Sequence, residues 1–397
     1  MEDSQARLTR LAQELQALES QHLRRHLQVI DQVLPGGWVR VGDRRLLNLS
    51  SNDYLGLALD ERLIAAAQQA TARWGTGSTA SRLIVGNYAL HAEVEAQVAA
   101  FKGTARAVLF NTGYMANVGI IAALMGRGDV ILSDRLNHAS IIDGIRLSGA
   151  TFYRFPHRDL NRLQELLEKT AGVKNRLLIT DTVFSVDGDL APLQELVELK
   201  NRYGVWLMVD EAHATGIWGA QGAGLAEAQG VAEEIEIHMG TFSKALGSFG
   251  AYVAGEDSLI DYLYNRARSF IYSTALPPPV LGAIQAALHI VAQEPERRQR
   301  LLRQAAQFRE KLQAAGFNTL NSETQIVPLL VGDNQLALEF ADRLRQAGIM
   351  AVAIRPPTVP PGGTRIRFSL GANHAPETLE GAVKVIIQVG QVLGLGS

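Results

Sequence analysis

Lys244 stands in the stretch His238-Met-Gly-Thr-Phe-Ser-Lys-Ala-Leu-Gly-Ser-Phe-Gly250, downstream of an apolar run that ends in acid, Val205-Trp-Leu-Met-Val-Asp-Glu-Ala-His213. A lysine among small residues is suited to forming a Schiff base. A partly desolvated ammonium gives up its proton more easily, and only the neutral amine attacks an aldehyde. An aspartate at the end of a strand, here Asp210, is the counter-ion that a pyridinium nitrogen needs. Together the two suggest pyridoxal 5'-phosphate. Taken singly, each has a plainer reading: a surface lysine after a helix cap, and an acidic strand end.

Both residues need a sheet to hold them. Ala105–Phe110, Asp129–Ser133, Thr151–Phe155, Arg176–Thr180 and Val205–Val209 read as short apolar strands, each followed by a turn and a helix-like segment. Strands that are apolar at nearly every position are buried on both faces, which predicts a mostly parallel sheet covered by helices. Before them, Leu8, Leu11, Leu15, Leu18, Leu23, Leu27 and Ile30 recur at spacings near 3 to 4 and predict an amphipathic helix over residues 5–30, an arm with little core of its own. Three prolines after Leu276 break the chain. A helical run from about Val280 through Lys311 then leads to a smaller α+β region, with strands near Ile326–Leu330 and Thr364–Leu370.

Ligands of open α/β sheets sit outside the carboxyl ends of the strands, so the residues just after each strand are the candidates. After the first strand comes Asn111-Thr-Gly-Tyr-Met-Ala-Asn117, where Gly113 lets the backbone turn and the N–H groups of Gly113 and Tyr114 open a helix. Such a helix start suits a phosphate, although an ordinary strand-to-helix loop would look the same. His138, in Asp134-Arg-Leu-Asn-His-Ala-Ser140, can stack on an aromatic ring, act as a base, or cap the next helix. Ser185 follows the fourth strand, and His213 lies three residues beyond Asp210, where it could reach the same ligand. Asp187-Gly-Asp189 lacks the alternating oxygen ligands and terminal Glu of an EF-hand and reads as a turn.

The motifs Val209-Asp-Glu-Ala-His-Ala-Thr-Gly216, Thr241-Phe-Ser-Lys244, Ile271-Tyr-Ser-Thr274 before the prolines, and Ile354-Arg-Pro-Pro-Thr-Val-Pro360, in that order, resemble the α-oxoamine synthases. The resemblance runs from the N-terminal arm to about Leu370 and implies a fold-type I pyridoxal-phosphate transferase of the aspartate-aminotransferase-like α/β class. Its parts would be a helical arm over residues 1–46, a large cofactor-binding domain over 47–290, and a small C-terminal α+β domain over 291–397. The implied reaction is a decarboxylative condensation of L-alanine with pimeloyl-CoA, or with pimeloyl on a carrier protein. Other members of the family, glycine C-acetyltransferase, 5-aminolevulinate synthase and serine palmitoyltransferase, share most of the cofactor site. A non-catalytic partner subunit, the remaining alternative, typically lacks the lysine.

The same resemblance implies roles. Lys244 would hold the cofactor and move the Cα proton, Asp210 would keep the ring nitrogen protonated, and His138 would stack on the ring. His213 and Ser185 would lie near the phenolic oxygen. Gly113, Tyr114 and Thr241 would meet the phosphate, and Thr274 would reach the phosphate of a neighbouring subunit, which makes a homodimer with shared sites. Asn52 and Arg355 would hold the substrate carboxylate, with Thr358 of the same motif beside them, and Arg24 would meet the far end of a pimeloyl chain. Gly77-Ser-Thr-Ala-Ser-Arg82 departs from the family's Gly-Ser-Gly-Gly-Ser-Arg by two added Cβ atoms, which bears on substrate packing.

Composition sets the outer bounds. The chain has 397 residues, a formal net charge of −2 and 20% charged residues spread along its length, with no basic stripe for nucleic acid or a membrane surface. Cysteine is absent, which excludes disulfides, thiolate-bound metals and cysteine nucleophiles. The start is charged and no apolar window reaches spanning length, so the cytoplasm is the expected compartment and no metal is expected.

Overall fold

The computed structural model describes residues 2–396, with side chains from residue 4 onward. The chain divides into two compact units. One comprises Asn52–Ser185 and Asp189–Leu302; the other gathers the residues up to Ser51, Val186–Gly188 and those from Arg303 on. No helix among the described residues is long and apolar enough to cross a membrane.

The first unit is built on a seven-stranded sheet in the spatial order Arg106–Phe110, Ala251–Gly255, Ile237–Thr241, Trp206–Asp210, Arg176–Asp181, Val130–Asp134, Thr151–Phe155. Ala251–Gly255 runs antiparallel to both its neighbours, and the other six share one direction. The five strands read from apolar runs lie within a residue of their expected positions. Ile237–Thr241 and Ala251–Gly255 are strands that the sequence pattern does not announce. Their residues, Ile-His-Met-Gly-Thr and Ala-Tyr-Val-Ala-Gly, are poor in branched side chains, yet every one is buried. The neighbouring chain decides their conformation: a Cβ on Gly240 would lie 2.3 Å from the Tyr252 hydroxyl, so only glycine lets these two strands close up.

Two helical expectations change. The arm helix spans Glu2–Ser20 and stops there, because His22 adopts a left-handed conformation (φ 55°) and closes a Schellman turn. The His22 N–H donates to the Glu19 carbonyl at 3.0 Å and the Leu23 N–H to the Leu18 carbonyl at 2.8 Å. Leu8, Leu11, Leu15 and Leu18 are exposed. The long helical run is two helices, Pro278–Gln293 and Pro295–Ala314, parted at Glu294 because Pro295 has no N–H to continue the ladder. Pro278 occupies the first turn of its helix, where a missing N–H costs nothing. In the second unit, Ile326–Gly332 and Val352–Ile354 flank Thr364–Ser369 in an antiparallel sheet.

Behind the end of Trp206–Asp210, the next residue turns the other way. Glu211 is fully buried and takes an ion pair from Lys102, the last residue of the helix Ala89–Lys102 and itself buried. The Lys102 ammonium also donates to the Ala223 carbonyl, and the Ala226 N–H donates to Glu211 Oε1 at 3.0 Å. Burial is the largest influence on the Glu211 carboxyl and pushes it up, but Lys102 and His238 outweigh it and hold it at about 2. Removing one partner of a buried pair strands the other, at roughly 3–5 kcal/mol. Lys102→Met is therefore expected to lower unfolding free energy by about that much in a urea titration, and adding Glu211→Leu should recover most of it. An unchanged midpoint in the single variant would contradict this account of how the strand end is anchored.

Candidate active site

Strand ends bring Lys244, His213 and Asp210 to one edge of the sheet in the first unit. Lys244 lies in the loop after Ile237–Thr241, and its Nζ is 2.8 Å from His213 Nε2. His213 Nδ1 is 2.7 Å from the Tyr54 hydroxyl, which donates to Asn52 Oδ1 at 3.0 Å. The direction of the chain follows from the last bond. A hydroxyl whose proton goes to Asn52 can only accept from His213, so Nδ1 carries the ring proton and Nε2 is left to accept from the Lys244 amine. Tyr54 is fully buried, which fixes the histidine's tautomer as well as its position.

Asp210 ends its strand almost fully buried and accepts at both oxygens, from the Ala212 N–H at 2.9 Å and from Asn117 Nδ2 at 2.8 Å. Asn117 is one turn into the helix Gly113–Leu124, and its amide also donates to Ser140 Oγ at 2.9 Å. Ser140 Oγ lies 2.7 Å from His138 Nδ1. His138 caps the helix Ala139–Ser148 with that nitrogen, one of the three roles open to it from sequence, and its ring remains exposed in the single chain. Desolvation by surrounding atoms is the largest influence on the ring and lowers its pKa; Asp210 acts the other way, and Lys244 reinforces the fall.

Asp181 is paired with Asp210 across adjacent strands. Burial first, and then the Asp210 charge, push the Asp181 carboxyl well above the usual carboxylate range, although the His138 N–H donates to its Oδ2 at 3.0 Å. Two buried carboxyls side by side favour keeping a proton between them, and the shift at Asp181 runs in that direction.

The helix start at Gly113 is shaped for an anion. Thr112 caps it, with Oγ1 accepting from Met115 N–H at 3.1 Å and its carbonyl taking the Ala116 N–H at 3.0 Å, so the Gly113 and Tyr114 N–H groups point out of the helix end. A Cβ on Gly113 would sit 3.1 Å from Met239 Cε, which crowds that end. The Tyr114 hydroxyl donates to Asp143 Oδ2 at 2.5 Å. Thr241 Oγ1 donates to the Gly250 carbonyl at 2.7 Å and accepts from the Ser243 N–H at 3.1 Å. Ser185 is half-buried in the loop after Arg176–Asp181. Thr274 pairs with Ser81 in an antiparallel bridge, and its carbonyl accepts from Asn111 Nδ2 at 2.8 Å. Near it Thr79, a branched residue, takes the left-handed conformation (φ 57°) that glycine adopts most readily.

Arg355, Thr358 and Arg24 belong to the second unit. The Arg355 guanidinium donates to the main-chain carbonyls of His22 and Arg24, and Arg25 Nη2 lies 3.3 Å from Thr358 Oγ1. Arg24 itself pairs at 3.4 Å with Glu19 and is exposed. Tyr54, Asn117 and Ser140 are the residues that sequence reasoning did not assign. Asn117 sits inside the stretch singled out for Gly113 and Tyr54 two residues after Asn52, but Asp210, Ser140 and His213 lie far away in the chain, and only the fold joins them.

The donor set fits a pyridoxal phosphate: an amine at Lys244, a buried acid at Asp210 and a helix start at Gly113 in one unit. The aminotransferase class I and II family matches residues 44–386. A relative from Bacillus cereus strain Q1, provisionally named 8-amino-7-oxononanoate synthase, is 52% identical over 383 residues, covering 96% of this chain and 97% of its own. A relative of the same provisional name in Bacillus anthracis is 51% identical over 384 residues, with 96% and 97% covered. Among solved structures, SPT with PLP superposes with a TM-score of 0.93 at 31% identity over 98% of both chains. The 8-amino-7-oxononanoate synthase from Francisella tularensis gives 0.77 at 29% identity, covering 87% of this chain and 98% of that one.

The Asn117 side-chain amide donates to Asp210. Asn117→Ala should lower unfolding free energy by about 1.5–3 kcal/mol, the usual worth of a hydrogen bond to a charged group, in thermal or urea unfolding of the cofactor-free protein. Wild-type stability in that variant would mean that Asp210 is held by something else.

Proposed function

This chain belongs to the class I and II aminotransferase family and, within it, to the α-oxoamine synthases, and we propose that it condenses L-alanine with a pimeloyl thioester, on CoA or on a carrier protein. The products are 8-amino-7-oxononanoate, CO2 and free thiol, a step of biotin synthesis. The observation that carries the reading is the Lys244 amine resting on His213 beside the buried Asp210. The name carried by the Bacillus relatives supports the choice of substrates; the solved serine palmitoyltransferase and 8-amino-7-oxononanoate synthase are 31% and 29% identical and do not separate the two reactions.

When bound, pyridoxal phosphate supplies an electron sink for a carbanion at Cα. This chain's residues do the rest. Lys244 would hold the cofactor through Nζ, and its amine would take the Cα proton. His213 Nε2, fixed as an acceptor by Tyr54, orients that amine and stays close to the phenolic oxygen with Ser185. Asp210 keeps the ring nitrogen protonated, and Asn117 with the Ala212 N–H keeps Asp210 in place. His138 covers one ring face. Gly113, Tyr114 and Thr241 take the phosphate, and Thr274 reaches the phosphate of a second copy in a homodimer. Asn52 and Arg355 hold the amino-acid carboxylate, with Thr358 in the same loop, and Arg24 meets the far carboxylate of the acyl chain. An arginine suits the first of these tasks because its planar fork binds a carboxylate bidentately. The enzyme would work in the cytoplasm.

A panel of glycine, L-alanine and L-serine against acetyl, succinyl, pimeloyl and palmitoyl thioesters, read by thiol release, tests the reading. L-Alanine with pimeloyl thioester is expected to give the highest kcat/KM, and Lys244→Ala is expected to abolish release. A preference for glycine with acetyl or succinyl thioester, or for serine with palmitoyl thioester, would assign another reaction of the same family.

A further inference from the structure

A charged cluster with two buried carboxylates lies outside the mechanism. His157 follows the strand Thr151–Phe155, and both its ring nitrogens face acids. Nδ1 lies 3.0 and 3.1 Å from the two oxygens of Asp134, and Nε2 lies 2.7 Å from Asp189 Oδ2. Both carboxylates are about 2% exposed. A neutral imidazole has one N–H and would turn a lone pair on one of these oxygens, so the arrangement calls for the imidazolium, which donates at both nitrogens.

Each carboxylate is the root of a loop. Asp134 ends Val130–Asp134 four residues before His138; its Oδ1 accepts from the Leu136 N–H at 2.8 Å and its Oδ2 from the Arg158 N–H at 3.0 Å. The Asp189 carbonyl accepts from the Phe184 N–H at 3.1 Å, and Val183 bridges to Leu190, which closes the stem from which Ser185 departs. The Phe184 ring packs edge-on against His157 with centroids 4.3 Å apart. The imidazolium thus joins the loop of His138 to the loop of Ser185.

We propose that His157 is a positioning residue, clipping these two loops into the register that the cofactor requires; the inference rests on the reading above, in which His138 and Ser185 face that cofactor. The charged groups around the ring are Asp134 on the strand end, Asp189 on the loop, and Arg158 on its own segment, 3.6 Å from Asp189. Asp181, on the adjacent strand, lies close enough to feel the Asp134 charge. Burial is the largest influence on His157 and lowers its pKa, but the two carboxylates reverse it and lift it to about 9. The folded value stands above the ordinary one near 6.5. The stability that the imidazolium contributes is therefore fully present below about pH 6.5, and the clip itself is lost as the pH climbs through about 9.

Equilibrium dialysis of pyridoxal phosphate against wild type and His157→Gln, from pH 7 to pH 10, tests this without relying on turnover. Taking the ratio of the two dissociation constants cancels the titration of Lys244, which both proteins share. The ratio is expected to be about tenfold at pH 7.5, or about 1.4 kcal/mol, and to fall toward one by pH 10, with a matching change in the visible circular dichroism of the bound cofactor. Should His157→Gln fail to fold, Asp189→Asn gives the same comparison from the other side of the clip. A ratio of one throughout overturns the clip while leaving the cofactor reading intact, and so does a raised ratio that stays constant with pH. A wild-type protein that takes up no pyridoxal phosphate overturns the cofactor reading, and this one with it.

Discussion

A carboxylate at the end of a buried strand has to be held by donors or else take up a proton, and Asp210 sets that condition for everything around it. Asn117 and the Ala212 N–H hold its two oxygens. Asp181, one strand away, is pushed toward its protonated form, so a second bare charge does not compete with the first. Glu211 carries its own charge away from the site to Lys102. The strand end therefore presents one negative charge to a ligand, with its neighbours either neutralised or turned aside. A site organised in this way is suited to a cationic ring nitrogen.

The amine side of the site has the same economy. Lys244 is placed by a histidine whose tautomer is dictated by a tyrosine, which is in turn dictated by an asparagine. Each bond has one sensible direction, and the result is a nitrogen lone pair pointed at the lysine. None of the four residues needs an unusual environment; the order of donors along the chain is enough.

How much of this was legible in advance depends on the range of the interaction. The buried parallel strands could be read because apolar runs bounded by turns need no partner to be recognised, and Asp210, His213 and Lys244 stood out because their motifs are local. Ile237–Thr241 and Ala251–Gly255 escaped notice because glycine and alanine carry no strand signal, and close packing on Tyr252 decides their conformation. The arm helix is shorter than its leucine spacing predicts, because that spacing continues past Ser20 while the left-handed turn at His22 leaves no glycine to mark the stop. Asn117, Tyr54 and the acids beside His157 were visible as letters but not as partners. The contacts that tie them to His213, Ser140, Asp210 and His157 span from 23 to 159 positions in the chain, and no spacing rule reaches that far.

The central claim is that Lys244 is the amine that carries the cofactor. Borohydride reduction of the purified yellow protein, followed by proteolysis and mass spectrometry, locates the phosphopyridoxyl group on a peptide. The account predicts that the group is found on the peptide containing Lys244, with the visible absorption bleached in step. Its recovery on any other lysine, or a protein that keeps its colour after reduction, would contradict the account.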